Sequence, residues 1–193
     1  MAITSIKTGS SFTNLQKYND FLGPNPPFIP TSFESIATAT PSAQSSITFS
    51  SIPSTYKHLQ IRGIANDAFR SNLRMTFNAD TGANYSFHML YGNGSAATVA
   101  SGTSANYIDY VGKAESTSNV YGASIIDIHD YASTTKNKTT RTFFGYDFNG
   151  GGWSALASGL WMSTSAISSV TITNPNGNYT AGSVFSLYGI KGA

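Results

Sequence analysis

The chain has no cysteine, so neither a disulfide nor a thiolate site, metal-binding or nucleophilic, is open to it. Glutamate is nearly missing too: Glu34 and Glu115 are the only two. With so few of the residues that face water on helices, a long solvent-facing helix is not expected. Charged residues make up only 10% of the 193, and the net charge is +2. The basic residues, Arg62, Lys113 and Arg141 among them, form no dense run, so the electrostatic footprint of a nucleic-acid binder is lacking. No apolar stretch approaches the roughly 20 residues of a membrane-spanning helix. The opening MAITSIKTGSSF lacks the apolar core of a secretory leader. The expectation is no nucleic-acid partner and no membrane insertion.

What the chain has instead suits strands and turns. Serine and threonine supply about a quarter of its residues, aromatics 13%, and glycine 18 positions, a mixture that favours short strands joined by tight turns. The first 32 residues stand apart. Apolar side chains are sparse there, and GPNPPFIP over 23–30 forces extended or polyproline-like backbone. Residues 1–32 read as an extended arm, with Phe12, Leu15, Tyr18, Phe21, Leu22, Phe28 and Ile29 as anchoring side chains. That set is more apolar than a free linker requires, so the arm either attaches to another protein or folds back on its own domain.

Residues 33–193 read as one β domain. Over 57–64, Leu59 and Ile61 share one face while His58, Gln60 and Arg62 share the other, as in a strand with one wet side. Residues 72–78 and 84–91 repeat the pattern and, with turn chemistry between them, predict a hairpin. Weaker strands are expected near 96–100 and 106–111, then stronger ones over 120–129, 139–148 and 154–162. In 139–148 both faces carry aromatics, Phe144 and Tyr146 on one and Phe143 on the other, which predicts cover on both sides. Residues 167–173 and 183–190 are expected to pair as a closing hairpin, its second face, with Tyr188 and Ile190, pressed against a neighbouring subunit. About ten short strands at a spacing of roughly 8 to 15 residues predict a jelly-roll-like antiparallel β-sandwich, with a closed barrel as the alternative.

Motifs for chemistry are few. Asp127, His129 and Asp130 form a polar cluster at a strand end that suits base catalysis or metal binding, but HExxH, GxSxG and phosphate-binding glycine loops are all missing. Asn78, Asp80, Thr81 and Asn84 have the oxygen-rich spacing of a calcium loop, and a hairpin turn accounts for the same residues more simply. No catalytic residue, metal or cofactor is assigned. Tyrosines near turns offer flat amphipathic area to a saccharide or a subunit, and Tyr91, Tyr107 and Tyr179 are the candidate surface contacts.

Several segments resemble a virion structural module of tailed bacteriophages, notably marine and cyanobacterial ones: 33–38 (FESIAT), 47–63 (ITFSSIPSTYKHLQIRG), 84–88 (NYSFH), 91–95 (YGNGS), 126–139 (IDIHDYASTTKNKT), 159–167 (GLWMSTSAI) and 182–192 (GSVFSLYGIKG). The resemblance covers residues 33–193. It implies a non-enzymatic virion protein, assembled in the host cytoplasm and released by lysis, whose arm fastens it to capsid or tail proteins. A capsid-decorating or head-fibre protein forming a homotrimer is the leading expectation. A tail-fibre or tail-tip module binding host surface glycan is the alternative, and a polymer-degrading enzyme using Asp127, His129 and Asp130 a minor one.

Overall fold

Eleven strands run through the residues that the computed structural model describes, 32–192: β1 (Phe33–Ala39), β2 (Ser46–Phe49), β3 (His58–Ala65), β4 (Arg74–Phe77), β5 (Tyr85–Gly92), β6 (Ala97–Ala105), β7 (Gly122–Ile128), β8 (Lys138–Asp147), β9 (Gly152–Trp161), β10 (Val170–Thr173) and β11 (Val184–Ile190). There is no helix among them. The anchoring side chains expected between Phe12 and Ile29 lie outside the described residues.

All ladders are antiparallel. One sheet holds eight strands in the order β1-β11-β3-β7-β8-β9-β5-β6, and a second holds three in the order β2-β10-β4. The fold is an all-β sandwich, and its two layers enclose one main core. Ile47, Phe49, Met75, Phe77, Val170 and Ile172 of the small sheet meet Leu59, Ile61, Ile126, Ile128, Phe185 and Leu187 of the large one. Because side chains alternate across a strand, those positions come from every second residue, as in β8, whose burial alternates along its whole length. The chain crosses between layers as in a jelly roll: β1 to β5 switch sheets strand by strand, and β9, β10 and β11 do so again.

That switching corrects two expected hairpins. Residues 72–78 and 84–91 become β4 and β5, but they lie in different sheets. The intervening turn is closed by side chains, with the Tyr85 hydroxyl donating to the Asp80 carbonyl (3.0 Å) and the Phe77 amide donating to the Tyr85 hydroxyl (3.0 Å). Residues 167–173 and 183–190 likewise separate into β10 in the small sheet and β11 in the large one. The link between them is held by the Asn174 side chain, which donates to Asp67 (2.8 Å), and by the Tyr179 amide, which donates to the Gln44 carbonyl (3.0 Å). β11 sits between β1 and β3, so its second face is covered in part by its own chain: Phe33 packs on Tyr188, and Arg62 lies over both rings. The strand expected at 106–111 reduces to a single bridge, Ile108 to Met75.

Tight hairpins remain at β5-β6 and β8-β9, while β7 and β8 pair across the longer connection 129–137. In the first, Asn93 Oδ1 accepts from the Ser95 and Ala96 amides while Gly94 takes a left-handed φ of 88°, where a side chain would be strained. These hairpins extend the large sheet beyond the area that the three-stranded sheet covers. A second, smaller cluster of Met89, Phe144, Ala155 and Ala157 lines the inner face there, with Tyr91 and Tyr110 packed against it.

Candidate functional site

The outer face of the large sheet carries one row of apolar side chains that no part of the described chain covers. The pairing register places Ile125 opposite Phe143, Phe143 opposite Leu156, Leu156 opposite Leu90, and Leu90 opposite Val99. These five residues, one each from the adjacent strands β7, β8, β9, β5 and β6, therefore form a straight ridge across the sheet. Their exposure runs from 40% at Ile125 to 75% at Val99. Isolated exposed apolar residues are ordinary, but a contiguous row of five marks a surface that meets something.

Two residues along each strand lies a row of small ones: Ala123, Gly145, Ser154, Gly92 and Ala97, again one per strand and in register. Four of them, Ala123, Gly145, Ser154 and Gly92, line a hollow of about 810 Å³ that extends to Tyr121, Asp147 and the turns 93–95 and 150–152. On the other side of the ridge the row is polar: Asp127, Arg141, Ser158, His88 and Ser101. Asp127 accepts a hydrogen bond from Gln60 Nε2 (2.8 Å), which continues that polar row onto β3. The face thus reads, across its width, as a polar row, an apolar ridge, a shallow groove and a polar end.

The three tyrosines expected to contact a ligand do not come together. Tyr91 stacks on Trp153 at 4.1 Å on the inner side of the β5–β9 region. Tyr107 lies under the Arg74 guanidinium, 4.1 Å from its ring centre. Tyr179 is buried, at 1% exposure, with its ring edge-on to Phe185, and burial raises its hydroxyl pKa. It is a core residue of the link between β10 and β11, and no surface ligand reaches it.

Asp127, His129 and Asp130 gather around His58, but the two carboxylates are engaged by other partners. Asp127 faces Gln60, whereas Asp130 is held by Lys136 (2.6 Å) and Lys57 (2.9 Å), whose hydrogen bonds drop its carboxyl well below the usual carboxylate range. The Asp130 amide donates to His58 Nδ1 (3.0 Å), and burial, with His129 edge-on at 5.2 Å, lowers the His58 pKa. This arrangement locks the turn after β7. Among the described residues, no three His, Asp or Glu side chains group as metal ligands. Asp80, in the expected calcium loop, accepts from Trp161 Nε1 (2.7 Å), the Gly82 amide (2.8 Å) and Asn84 Nδ2 (3.0 Å). Those donors lower its pKa and occupy its oxygens, as a turn requires.

An ion pair with a buried carboxylate and a partly exposed guanidinium pins the long 106–121 connection over the inner face. Arg70 makes a forked contact with Glu115, Nε to Oε2 at 2.9 Å and Nη2 to Oε1 at 2.7 Å, and stacks on Phe148 at 4.3 Å. Burial opposes the Glu115 charge, but the guanidinium and the Thr117 hydroxyl and amide outweigh it and hold the pKa low. Nearby, Lys113 rests 4.0 Å above the Trp153 ring, and burial lowers its pKa. These contacts tie the connection to the inner side of β9 and to the turn after β8.

Sequence reasoning missed the ridge as a unit. Its one signal was Phe143 on the second face of 139–148; that face, expected to be covered, is open among the described residues, with Phe143 54% exposed, and the other four residues gain meaning only once strand order and register are known. Comparison with protein-family models, with curated proteins and with solved structures finds no match.

Proposed function

We propose that the protein is a non-enzymatic structural component of a tailed-bacteriophage particle, a β-sandwich displayed on the virion and fastened to it through residues 1–32. The observation that carries this reading is the uncovered ridge from Ile125 to Val99, the mark of a protein that works assembled with others. The likeness of segments such as 47–63 and 126–139 to phage virion modules supplies the setting. Capsid decoration or a head fibre is the favoured placement, with the anchoring arm on the shell and the sandwich outward. Self-association of the sandwich belongs to the same proposal. The test is full-length protein with Phe21, Leu22 and Phe28 each changed to Ser, expressed during infection. Mass spectrometry of purified particles should find it depleted from virions relative to the unaltered chain, and immunogold labelling of unaltered particles should decorate heads. Loading at normal occupancy would refute the anchoring role.

A second reading, a tail-fibre or tail-tip module that binds host glycan, is favoured by one observation, the hollow bordered by Tyr121, Trp153, Asn93 and Asp147. Aromatic edges beside amide and carboxylate groups suit a saccharide. Titration with host surface polysaccharide should quench Trp153 fluorescence in a Trp161→Phe background; an unchanged spectrum would remove this reading.

A further inference from the structure

We infer that the outer face of the large sheet is a self-complementary surface that pairs two copies of this chain about a two-fold axis. The ridge and the row of small residues beside it are the same length and occupy the same five strands, offset by two residues, so the small row serves as a groove. An axis lying in the interface, parallel to these rows and midway between them, turns a second copy face to face and lays each ridge in the other's groove. Strand by strand, Ile125 then meets the partner's Ala123, Phe143 meets Gly145, Leu156 meets Ser154, Leu90 meets Gly92, and Val99 meets Ala97. The small row leaves room for the large one, as close packing of two sheets about 10 Å apart demands.

Charge follows the same operation. The axis that sets Phe143 over Gly145 also brings Arg141 of one copy opposite Asp147 of the other. Both side chains are exposed on β8, and neither has an ion-pair partner among the described residues. The two-fold makes this contact twice, once on each side of the two interlocked ridges. Asp127 is carried toward the partner's Tyr121 in the same way. An isologous contact has this property, residue i meeting j while j meets i.

The area is of the right order. Three rows across five strands, with a fourth on β8 and β9 as Asp147 and Gly152, span on the order of 550 Å² of projected plane per copy before side-chain relief and the flanking turns are added, against the ~800 Å² per partner of a standard interface. An apolar centre with a polar rim is the usual anatomy of such a surface. Pairing in twos is a different proposal from the homotrimer expected from sequence. It concerns how copies meet wherever they are mounted, and so stands apart from the virion reading.

Sedimentation equilibrium of the full-length chain tests it. The unaltered protein should sediment as two chains, and Leu156→Asp as one. Ser154→Trp should also give one chain, because it fills the groove; it adds apolar surface, so indiscriminate hydrophobic association would instead grow stronger. Arg141→Glu and Asp147→Arg should each weaken pairing about tenfold, and the double reversal should restore it. Near-UV circular dichroism from Trp161 reports that each variant is folded. A single-chain or three-chain species for the unaltered protein, persistent pairing of folded Ser154→Trp, or a double reversal as weak as its parents would overturn the proposal. A single-chain result would assign the face to residues 1–31 or to another ligand.

Discussion

Phe143 on β8 and Leu156 on β9 stand directly opposite one another on the outer face, each more than half exposed, at 54% and 55%. Cross-strand neighbours of this kind normally shield each other within a core or give way to polar residues on a wet face. Here they continue a row that runs over five strands, so the pair is placed for contact beyond its own sheet. Removing it should therefore affect assembly far more than folding. Leu156→Ser and Leu90→Ser, measured by urea denaturation at concentrations low enough to keep the chain single, should each change stability by no more than about 0.5 kcal/mol.

The inner side should respond in the opposite sense. Glu115 is fully buried, and Arg70 is its forked partner. Arg70→Ala removes the forked partner of a buried carboxylate; because the guanidinium is itself about one-third exposed, water enters the vacated space, and the cost should be about 1–3 kcal/mol, read as a lower urea midpoint. Arg70→Lys should recover only part of this, since an ammonium neither forks onto both oxygens nor stacks flat on Phe148.

Acid should destabilise the fold. Glu34, Asp80, Glu115 and Asp130 all have pKa values lowered in the folded chain, through Lys191, Trp161, Arg70 and Lys136 respectively among their partners. Each contributes stability that is present above its unfolded value and lost as pH falls through the folded one, so urea midpoints should drop steadily below about pH 4.5. His58 acts earlier. Its folded pKa is lowered, so the unfolded chain takes up that proton first and stability declines as pH falls below about 6.5. His58→Gln should flatten the decline between pH 7 and 5 and leave the steeper one below it.

Two glycines are fixed by close approach. A Cβ at Gly122 would lie 1.8 Å from the Lys113 carbonyl oxygen, and one at Gly159 would lie 2.5 Å from Ile108 Cγ2. Gly122→Ala has to push backbone aside and should cost about 2–3 kcal/mol, read as a fall in thermal midpoint. Gly92→Ala, whose Cβ would meet within its own chain only the Ala96 carbonyl oxygen at 4.0 Å, should be close to neutral in the same assay run dilute enough to keep the chain single.

The all-β class and most strands were legible because alternation is a local property: Leu59 and Ile61 against Gln60 and Arg62 give β3 away without any partner strand. Sheet membership was not. β4 and β5 are joined by turn residues that suit a hairpin, yet Tyr85 spends its hydroxyl on the turn itself and the chain passes to the other layer. The tyrosines failed as site markers for a related reason. Composition marks Tyr179 as a turn residue, whereas only the packing of β11 shows its ring against Phe185. The ridge depends on register between strands as distant in sequence as β5 and β9, which no local period encodes.

Because the chain lacks cysteine, a single introduced thiol gives a clean distance measurement. Full-length Ser101→Cys, spin-labelled on the edge strand beyond the ridge and examined by double electron–electron resonance at ~50 µM, reports directly on the pairing of two large sheets. Two-fold docking of ridge into groove predicts one distance of roughly 20–30 Å, set by three rows along the strands and the gap between packed sheets. A sample with no dipolar coupling, or with a distance beyond about 40 Å, would contradict it.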